Sequence, residues 1–535
     1  MFTNMKKIIL TTIYYPFIFA SIPIISIYLG NIEFVDFSEF LLITIVSILI
    51  LIPVWLVLYK TTGSINKSGL ISAIFFLLFY SFGSFLRILA DVLYNFGLDV
   101  RLQMFTDIGW KLNLLLVIWI ALFLGFSLFI YKIKGDLELI TTFMNITSLI
   151  LLVLTIIKYS SNVQKFSLSN QTSDFNTISI PEDRILTNNQ FPNHELPNIY
   201  FIVLDGYGRR DTLKDIYAYD NKEIEDFLIS NGFFIAEKSY SNYLQTYLSL
   251  ASNLNISYLD VIAEHMDPNS NNTVPILNHF QNNRVMEFLN NHGYKIIAFE
   301  TGYFATELSH LDHYYSTTWT LSEFTNGIIN LTPLQIWIDE LQNDNHRKRI
   351  HYTFSQLPKI IDTDKPTFVF AHVVAPHPPF VFGSNGESIN QDRIFTIDEN
   401  LIVDTTYRSE YAISYPDQVI YINSLLKKSV ENILSNSGGN SIIVIQGDHG
   451  PRSMWDANNI ENTNINEVFP ILNAFYFPDQ DYSNLYDNIS SVNTFRVKFD
   501  QYFGTTLGLL DDRSFYTSVS TPYRYIDVTE PLIGE

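Results

Sequence analysis

The 535-residue chain contains no cysteine. That excludes disulfides, thiolate metal sites and cysteine nucleophiles. Positive charge is also scarce, with 33 Lys+Arg against 54 Asp+Glu and a net charge of −21. The imbalance is uneven. Residues 1–158 carry 10 Lys+Arg and 8 Asp+Glu, and the remainder carries 23 and 46. The first part is therefore nearly neutral and very apolar, and the second is acidic. An acidic domain repels polyanions, which argues against nucleic acid as a partner. The length exceeds one ordinary core, so at least two domains are expected.

Charge is almost absent from five apolar stretches, Ile8–Gly30, Glu39–Tyr59, Gly69–Leu86, Leu112–Tyr131 and Leu139–Ile157. Each is about the 20 residues that a helix needs to cross a bilayer core. Lys6 and Lys7 precede the first, Lys60 and Lys67 lie between the second and third, and Lys132 and Lys134 lie between the fourth and fifth. The bias of Lys and Arg toward cytoplasmic loops puts those segments and the N-terminus inside. Five spans then leave everything after Lys158 outside. The expectation is a multi-pass protein of the plasma (cytoplasmic) membrane with an extracytoplasmic domain. A cleaved signal peptide is disfavoured for the first stretch, because it is too long and four more follow. Residues 159–197 are rich in Ser, Asn and Thr without periodicity and read as a linker. The predicted organisation is a transmembrane domain over 1–158, this linker, and a second domain over 198–535.

The second domain opens on the apolar run Asn198–Leu204, which Asp205-Gly206 ends. Similar runs are Tyr294–Phe299, Thr367–Val373 and Ser441–Ile445, with amphipathic stretches such as Lys222–Ser230, Arg284–Asn291 and Gln418–Leu434 between them. Strands alternating with helices predict an α/β domain with a central, mostly parallel sheet. Ligands of such sheets sit at the carboxyl ends of strands.

Four elements fall there. Asp205 directly follows a strand, where a carboxylate can hold a hard cation or cap a turn. Thr246 stands at the start of a helical stretch through Leu254, where free backbone N–H groups favour a phosphate or sulfate, or where it acts as an N-cap. Gly447-Asp448-His449-Gly450 follows the strand Ser441–Ile445. An adjacent carboxylate and imidazole suit Zn²⁺ or Mn²⁺, whereas a plain polar turn gives no reason for the His. His372 and His377, in His-Val-Val-Ala-Pro-His, can contact an anionic group or donate a proton, or are packed loop residues.

Taken together and in this order, the four elements resemble the alkaline phosphatase superfamily. Within it the chain is similar to the sulfatase-like branch that contains lipoteichoic acid synthase and the phosphoethanolamine transferases. The resemblance runs from about residue 197 to the C-terminus, and five preceding spans are also the arrangement of those transferases. It implies that Asp205, Thr246, Asp448 and His449 hold one divalent cation, Mn²⁺ or Zn²⁺ before Mg²⁺ or Ca²⁺. It implies Thr246 as nucleophile, through a covalent phospho-threonine, and His377 or His372 as the substrate-contacting histidine. The implied substrate is a phospho-substituent on a lipid or cell-surface glycan, with the bilayer as partner.

Some choices remain within that resemblance. Lipoteichoic acid synthases carry Glu where this chain has Asp205, as sulfatases and phosphodiesterases do. Sulfatases mostly use an aldehyde made from the Cys of Cys-x-Pro-x-Arg, and this chain has neither the Cys nor the Pro and Arg after Thr246. A sulfuric ester hydrolase is therefore the alternative, together with an inactive envelope glycan-binding relative. His310, Asp312 and His313 offer a possible second cation site. Arg209, Arg210 and Arg452 offer phosphate clamps or surface salt bridges. Tyr314, Tyr315 and Trp319 offer a glycan platform or core.

Overall fold

The computed structural model describes residues 13–32, 35–95, 109–160, 196–317, 321–360, 364–389 and 405–534. The chain divides into two compact units. One comprises Met1–Thr172 with Leu321–Leu341, the other Ser173–Thr320 with Gln342–Glu535. The first boundary falls inside the expected linker, most of which (161–195) lies outside the described residues. The return of Leu321–Leu341 to the first unit has no counterpart in the sequence expectation.

The first unit is built on helices α1 (Tyr15–Gly30), α2 (Phe37–Thr62), α3 (Ile65–Asn95), α4 (Gly109–Lys132) and α5 (Glu138–Lys158). Stretches of α2 to α5 are each long and apolar enough to cross a membrane. α1 is apolar but shorter, with 16 residues, and the expected span's start at Ile8 lies outside the described residues. Burial here is inverted relative to a protein in water. Leu139, Phe129 and Ile88 are 83%, 68% and 61% exposed, while Ser68, Ser72, Asn145 and Ser148 are fully buried. That pattern is stable only where the surrounding solvent is apolar. Several buried polar groups are engaged: Asn145 Oδ1 accepts from the Tyr15 N–H at 3.3 Å, and Ser47 and Tyr80 hydroxyls pair at 3.1 Å.

The helix ends sort into two sets. Lys67 Nζ donates to the carbonyls of Tyr131 (3.0 Å) and Ile133 (2.6 Å), and Asn66 donates to Asp136 (3.2 Å). The α2–α3 and α4–α5 connections, which hold Lys60, Lys67, Lys132 and Lys134, therefore share one end. Ser26 meets the Tyr159 hydroxyl at 3.3 Å, so α1 and α5 finish together at the other end.

The second unit is an α/β domain. Seven strands, β1 (Asn198–Leu204), β2 (Phe234–Ile235), β3 (Lys295–Phe299), β4 (Tyr314–Tyr315), β5 (Thr367–Val373), β6 (Ser441–Gly447) and β7 (Asn473–Tyr476), form one sheet in the order β2-β7-β6-β1-β5-β3-β4. β6, β1, β5, β3 and β4 run parallel, and β7 is antiparallel to both β6 and β2. β1 explains the layering. Ile199, Phe201 and Val203 face one core with α6 (Thr246–Leu254) and α8 (Thr494–Phe503). Tyr200, Ile202 and Leu204 face a second core with α7 (Thr405–Asn436). Both faces are covered, so the central strands read as unbroken apolar runs. Each such side chain contributes about 1.5–3 kcal/mol on burial. The expected strands at 198–204 and 367–373 have the predicted limits, and β6 runs two residues further than predicted. The edge strands β2 and β4 and the adjoining β7 are two to four residues long and carried no sequence expectation.

One charge is misplaced in this core. Lys498 on α8 is 1% exposed, and its Nζ lies 4.2 Å from the Phe495 ring centre without a hydrogen-bond partner among the described residues. Burial drives its amine well below the usual lysine range. Unfolded, it titrates near the ordinary value of about 10.4. Between those two values the unfolded chain binds one more proton, so folding stability rises with pH across that window. Lys498→Met is expected to stabilise the detergent-solubilised chain by about 1–3 kcal/mol near pH 7, with the gain shrinking as pH approaches 10. Urea unfolding at both pH values checks this; an equal gain at each would show that the amine is not held neutral.

Candidate metal centre

The register of three strands builds this site. Leu204 pairs with Val373 on one side and with Gly447 on the other, so β1, β5 and β6 end level. Asp205 is the next residue on β1, and Asp448-His449 are the next on β6. His372 pairs with Val203 inside the sheet edge. Asp205, His372, Asp448 and His449 are all 2% exposed or less.

Their ligating atoms converge. His372 Nε2 lies 3.3 Å from Asp205 Oδ2, His449 Nε2 lies 3.2 Å from Asp205 Oδ1, and His449 Nε2 lies 3.4 Å from Asp448 Oδ2. Asp205 Oδ1, Asp448 Oδ2 and both Nε2 atoms are buried and make no hydrogen bond among the described residues. Four such groups clustered by chance would cost several kcal/mol. A cation held tetrahedrally at about 2.0–2.1 Å separates its ligand atoms by about 3.3–3.4 Å. The three observed spacings lie near that edge but involve both Asp205 oxygens, and the ligand atoms fall into two triads that share Asp205, one with His372 and Asp448 and one with His377 and His449. Two carboxylates and two neutral imidazoles carry a charge of −2, which one divalent ion balances.

The surroundings fix the ligating atoms. His449 Nδ1 lies 2.7 Å from the Gly450 carbonyl, so it carries the proton and Nε2 is left with its lone pair. His372 Nδ1 lies 2.9 Å from Thr306 Oγ1. The Thr306 hydroxyl is directed at Thr301 Oγ1 (3.2 Å) or the Tyr303 carbonyl (3.3 Å), so it accepts from His372. Asp448 Oδ1 accepts from the Gly206 N–H at 3.0 Å, which leaves Oδ2 for the centre. Burial alone would raise the Asp205 carboxyl, but His377, His372 and His449 outweigh it and hold the group well below the usual carboxylate range. Gly450 permits a close approach: a Cβ there would sit 2.3 Å from the Glu467 carbonyl.

Thr246 is the first residue of α6. The N-cap is Gln245, whose side chain does not cap the helix. Thr246 is therefore not the N-cap threonine of the alternative reading. One turn on, Ser249 Oγ donates to the Asp448 carbonyl at 2.7 Å, which ties the start of α6 to the β6 end. Thr246 and Ser249, three residues apart, share a helix face.

His377 is half-buried, and its backbone N–H donates to the Asp205 carbonyl at 2.9 Å. One of its ring nitrogens lies within 4.8 Å of ligand atoms of Asp205 and His449. His372 and His377, treated alike in the sequence, thus separate. His372 is buried among the carboxylates, and His377 stands beside them with partial access to solvent.

Arg452 is 3% exposed, its guanidinium lies 4.2 Å from the Trp455 ring centre, and it donates to the Leu244 carbonyl. It lies close enough to His377 to depress the imidazole, after burial and against the pull of Asp205. Arg209 is engaged elsewhere, with Asp211 at 2.7 Å, the Ser239 carbonyl at 3.1 Å and the Tyr240 ring at 4.7 Å. Arg210 pairs with Asp220 (2.6 Å) and Glu225 (3.2 Å). Both arginines thus follow the salt-bridge reading. His310, Asp312 and His313 line a separate cavity with Arg284 and Lys295. Lys295 begins β3 and His313 precedes β4, so this cavity lies at the amino ends of strands, the wrong edge for the centre. Among the described residues, the groups able to hold a metal both contain Asp205 and neither contains these three. Tyr314 and Tyr315 form β4, and Trp319 lies outside the described residues. Sequence reasoning assigned no role to Thr306 or Ser249, because each is far from the ligands along the chain and has an unremarkable local pattern.

No sequence family and no curated protein matches this chain. Among solved structures, it is similar to the C-terminal periplasmic domain of EcEptC from Escherichia coli in complex with Zn, at a TM-score of 0.40 and 11% identity, covering 63% of this chain and 94% of that one. It is also similar to the C-terminal periplasmic domain of phosphoethanolamine transferase EptC from Campylobacter jejuni, at 0.39 and 14%, covering 60% and 92%. A third likeness is to the lipoteichoic acid synthase LtaP from Listeria monocytogenes, at 0.38 and 15%, covering 66% and 81%.

If this cluster holds a divalent ion, chelation leaves two buried carboxylates unbalanced. A chelator is expected to lower the melting temperature of the full chain, and excess Mn²⁺ or Zn²⁺ to restore it, since a ligand at about 100 times its Kd contributes about 2.7 kcal/mol. Thr306→Val, which removes the acceptor that orients His372, should weaken ion binding about 10–100-fold by calorimetric titration. An unchanged affinity would show that His372 is not a ligand.

Proposed function

We propose that the chain is a membrane-anchored, cation-dependent transferase or hydrolase of phosphoester groups, with Thr246 as its nucleophile. The observation that carries this reading is the convergence of four buried, otherwise unpaired ligand atoms at the level ends of β1, β5 and β6. Asp205, His372, Asp448 and His449 would hold the ion, and Thr246, at the start of a helix that Ser249 ties to the Asp448 main chain, would be the nucleophile. A bound divalent cation supplies acidity to a nearby hydroxyl and neutralises charge on a transferred group.

The residues of this chain do the rest. Thr246 Oγ is held at a helix start, where the N–H groups of the first turn and the macrodipole favour an anionic phosphoryl group. Its attack forms a new P–O bond as the bond to the leaving oxygen breaks, giving a phospho-threonine. His377, half-buried and with Nδ1 held by the Pro378 carbonyl at 2.7 Å, would use its other nitrogen to take the proton that Thr246 releases and pass it to the leaving oxygen. The same nitrogen then takes a proton from water or an acceptor alcohol as the phospho-threonine is resolved. Arg452, a buried guanidinium near His377, is the candidate partner for non-bridging oxygens.

The inverted burial of the first unit supports a bilayer location. Gathering Lys60, Lys67, Lys132 and Lys134 at one end supports an inward position for that end, with five spans and the N-terminus on the same side. The chain then leaves α5 on the extracytoplasmic side. Such anchoring concentrates the site where lipid-linked donors and cell-surface glycans are found.

Incubation of the purified chain with Mn²⁺ and bis-aryl phosphate should release one aryl alcohol and leave an aryl phosphoryl group on the Thr246 peptide, read by mass spectrometry. Thr246→Ala should lower turnover by at least about 10³-fold, the scale of losing a covalent nucleophile. Full activity in that variant would exclude Thr246 as nucleophile. Faster cleavage of aryl sulfate than of aryl phosphate would favour the sulfuric ester reading.

A further inference from the structure

In an acidic domain, residues 324–337 (Phe-Thr-Asn-Gly-Ile-Ile-Asn-Leu-Thr-Pro-Leu-Gln-Ile-Trp) carry no charge. They lie in the part of the chain that groups with the membrane helices. The short helix Glu323–Ile329 buries Phe324 and Ile328 (each 6% exposed) in a cluster with Ala20 and Ile24 of α1, Leu51 of α2 and Phe76 of α3. Ser322 caps it, accepting from the Thr325 N–H at 3.0 Å, and Thr325 Oγ1 donates to Glu39 at 2.8 Å.

The contact with α3 is between main chains. Gly83 N–H donates to the Leu331 carbonyl at 3.0 Å, and a Cβ at Gly83 would lie 1.9 Å from the Asn330 carbonyl oxygen. Gly83 is three residues before Leu86, the end of the apolar run 69–86, or about 4–5 Å inside it along the helix. Irregular backbone survives at that depth only if its polar groups are satisfied within the protein. Here they are. The Thr332 N–H and hydroxyl both reach the Ile329 carbonyl, the hydroxyl accepts from Leu334 N–H at 3.1 Å, and Gln335 Nε2 donates to the Thr332 carbonyl at 3.1 Å. Residue 333 is a proline, with no N–H to satisfy.

The outward side of this segment is apolar. Leu334 is 42% and Trp337 56% exposed, and α3 exposes Phe85 (40%) and Ile88 (61%) on the side that helical spacing turns away from the Gly83 contact. A Trp with Leu at the edge of an apolar girdle fits the headgroup–acyl boundary. We propose that residues 321–337 form a re-entrant element whose Leu334 and Trp337 insert into the bilayer boundary, continuing the lipid-facing surface of α3. The occupant of this surface is the lipid bilayer. The inference goes beyond the catalytic reading and does not depend on it.

The lack of native cysteine makes single-site labelling direct. Leu334→Cys and Trp337→Cys, each in the full chain reconstituted in phosphatidylglycerol/phosphatidylethanolamine vesicles, would carry a nitroxide. Phe143→Cys on α5 (65% exposed) serves as lipid control and Leu509→Cys (52% exposed, α/β unit) as aqueous control. Oxygen is expected to relax the 334 and 337 labels more than a water-soluble nickel chelate does, as at 143 and opposite to 509. Gly83→Ala should shift both labels toward the chelate while leaving 143 and 509 unchanged. Preferential relaxation by the chelate at 334 and 337 in the native background would overturn the proposal. So would protection from both reagents, the mark of a protein partner on this surface.

Discussion

Two carboxylates buried side by side in a protein interior repel one another, and each loses the hydration it has in water. The site depends on resolving that conflict. Asp205 and Asp448 are placed together by strands whose other residues are almost wholly apolar, and the ion-pair partners of both among the described residues are histidines. The cluster pairs them with two imidazoles whose Nδ1 protons are directed away, at the Gly450 carbonyl and at Thr306. The imidazoles thus offer lone pairs rather than charge. A net −2 among ligand atoms that form two triads sharing Asp205 is an arrangement that favours a divalent ion over protons or a salt bridge.

The register of β1 with β5 and β6 makes that arrangement possible. Side chains alternate along a strand, so a slip of one residue on β1 would turn Asp205 from the centre toward a helical layer. The register is held by the packing of both faces, since the same slip would also move Phe201 and Ile202 into the wrong cores. Core packing and site geometry are therefore one constraint. Ser249 adds a tie that strand register does not supply, because it fixes a helix start to the main chain of Asp448.

The legible parts of the molecule are those with strong local patterns. The runs Asn198–Leu204 and Thr367–Val373 are visible because both faces of these strands are covered, which makes every position apolar. Asp205 and Asp448-His449 are visible because a polar residue breaks such a run abruptly. The short strands β2 and β7 are not, since they depend on pairing with a neighbour rather than on their own composition. Thr306 illustrates a second kind of opacity. It lies 66 residues before His372, and only the fold makes it the acceptor that turns that ring. His372 and His377 look equivalent in the sequence because they stand only five positions apart around the end of one apolar run. Their difference lies in depth: the first is still within the strand, and the second is past its end.

The membrane unit shows the same physics with the solvent reversed. Serines, Thr141 and Asn145 turn inward, and Leu, Ile and Phe turn outward. A hydrogen bond such as that of Asn145 with the start of α1 holds helices together where no hydrophobic driving force exists between them. The same rule explains why an uncharged stretch of a water-exposed domain can return to this unit. Apolar side chains alone would not suffice, because its carbonyls would be left bare in an environment without water. The close approach allowed by Gly83 removes that obstacle, since one helical N–H meets the carbonyl that the turn would otherwise strand. The chain is thereby attached to the membrane unit at 321–341 as well as through α5, whatever path residues 161–195 take. A glycine on a spanning helix, chosen for what it lacks, thus decides where a second stretch of the chain meets lipid.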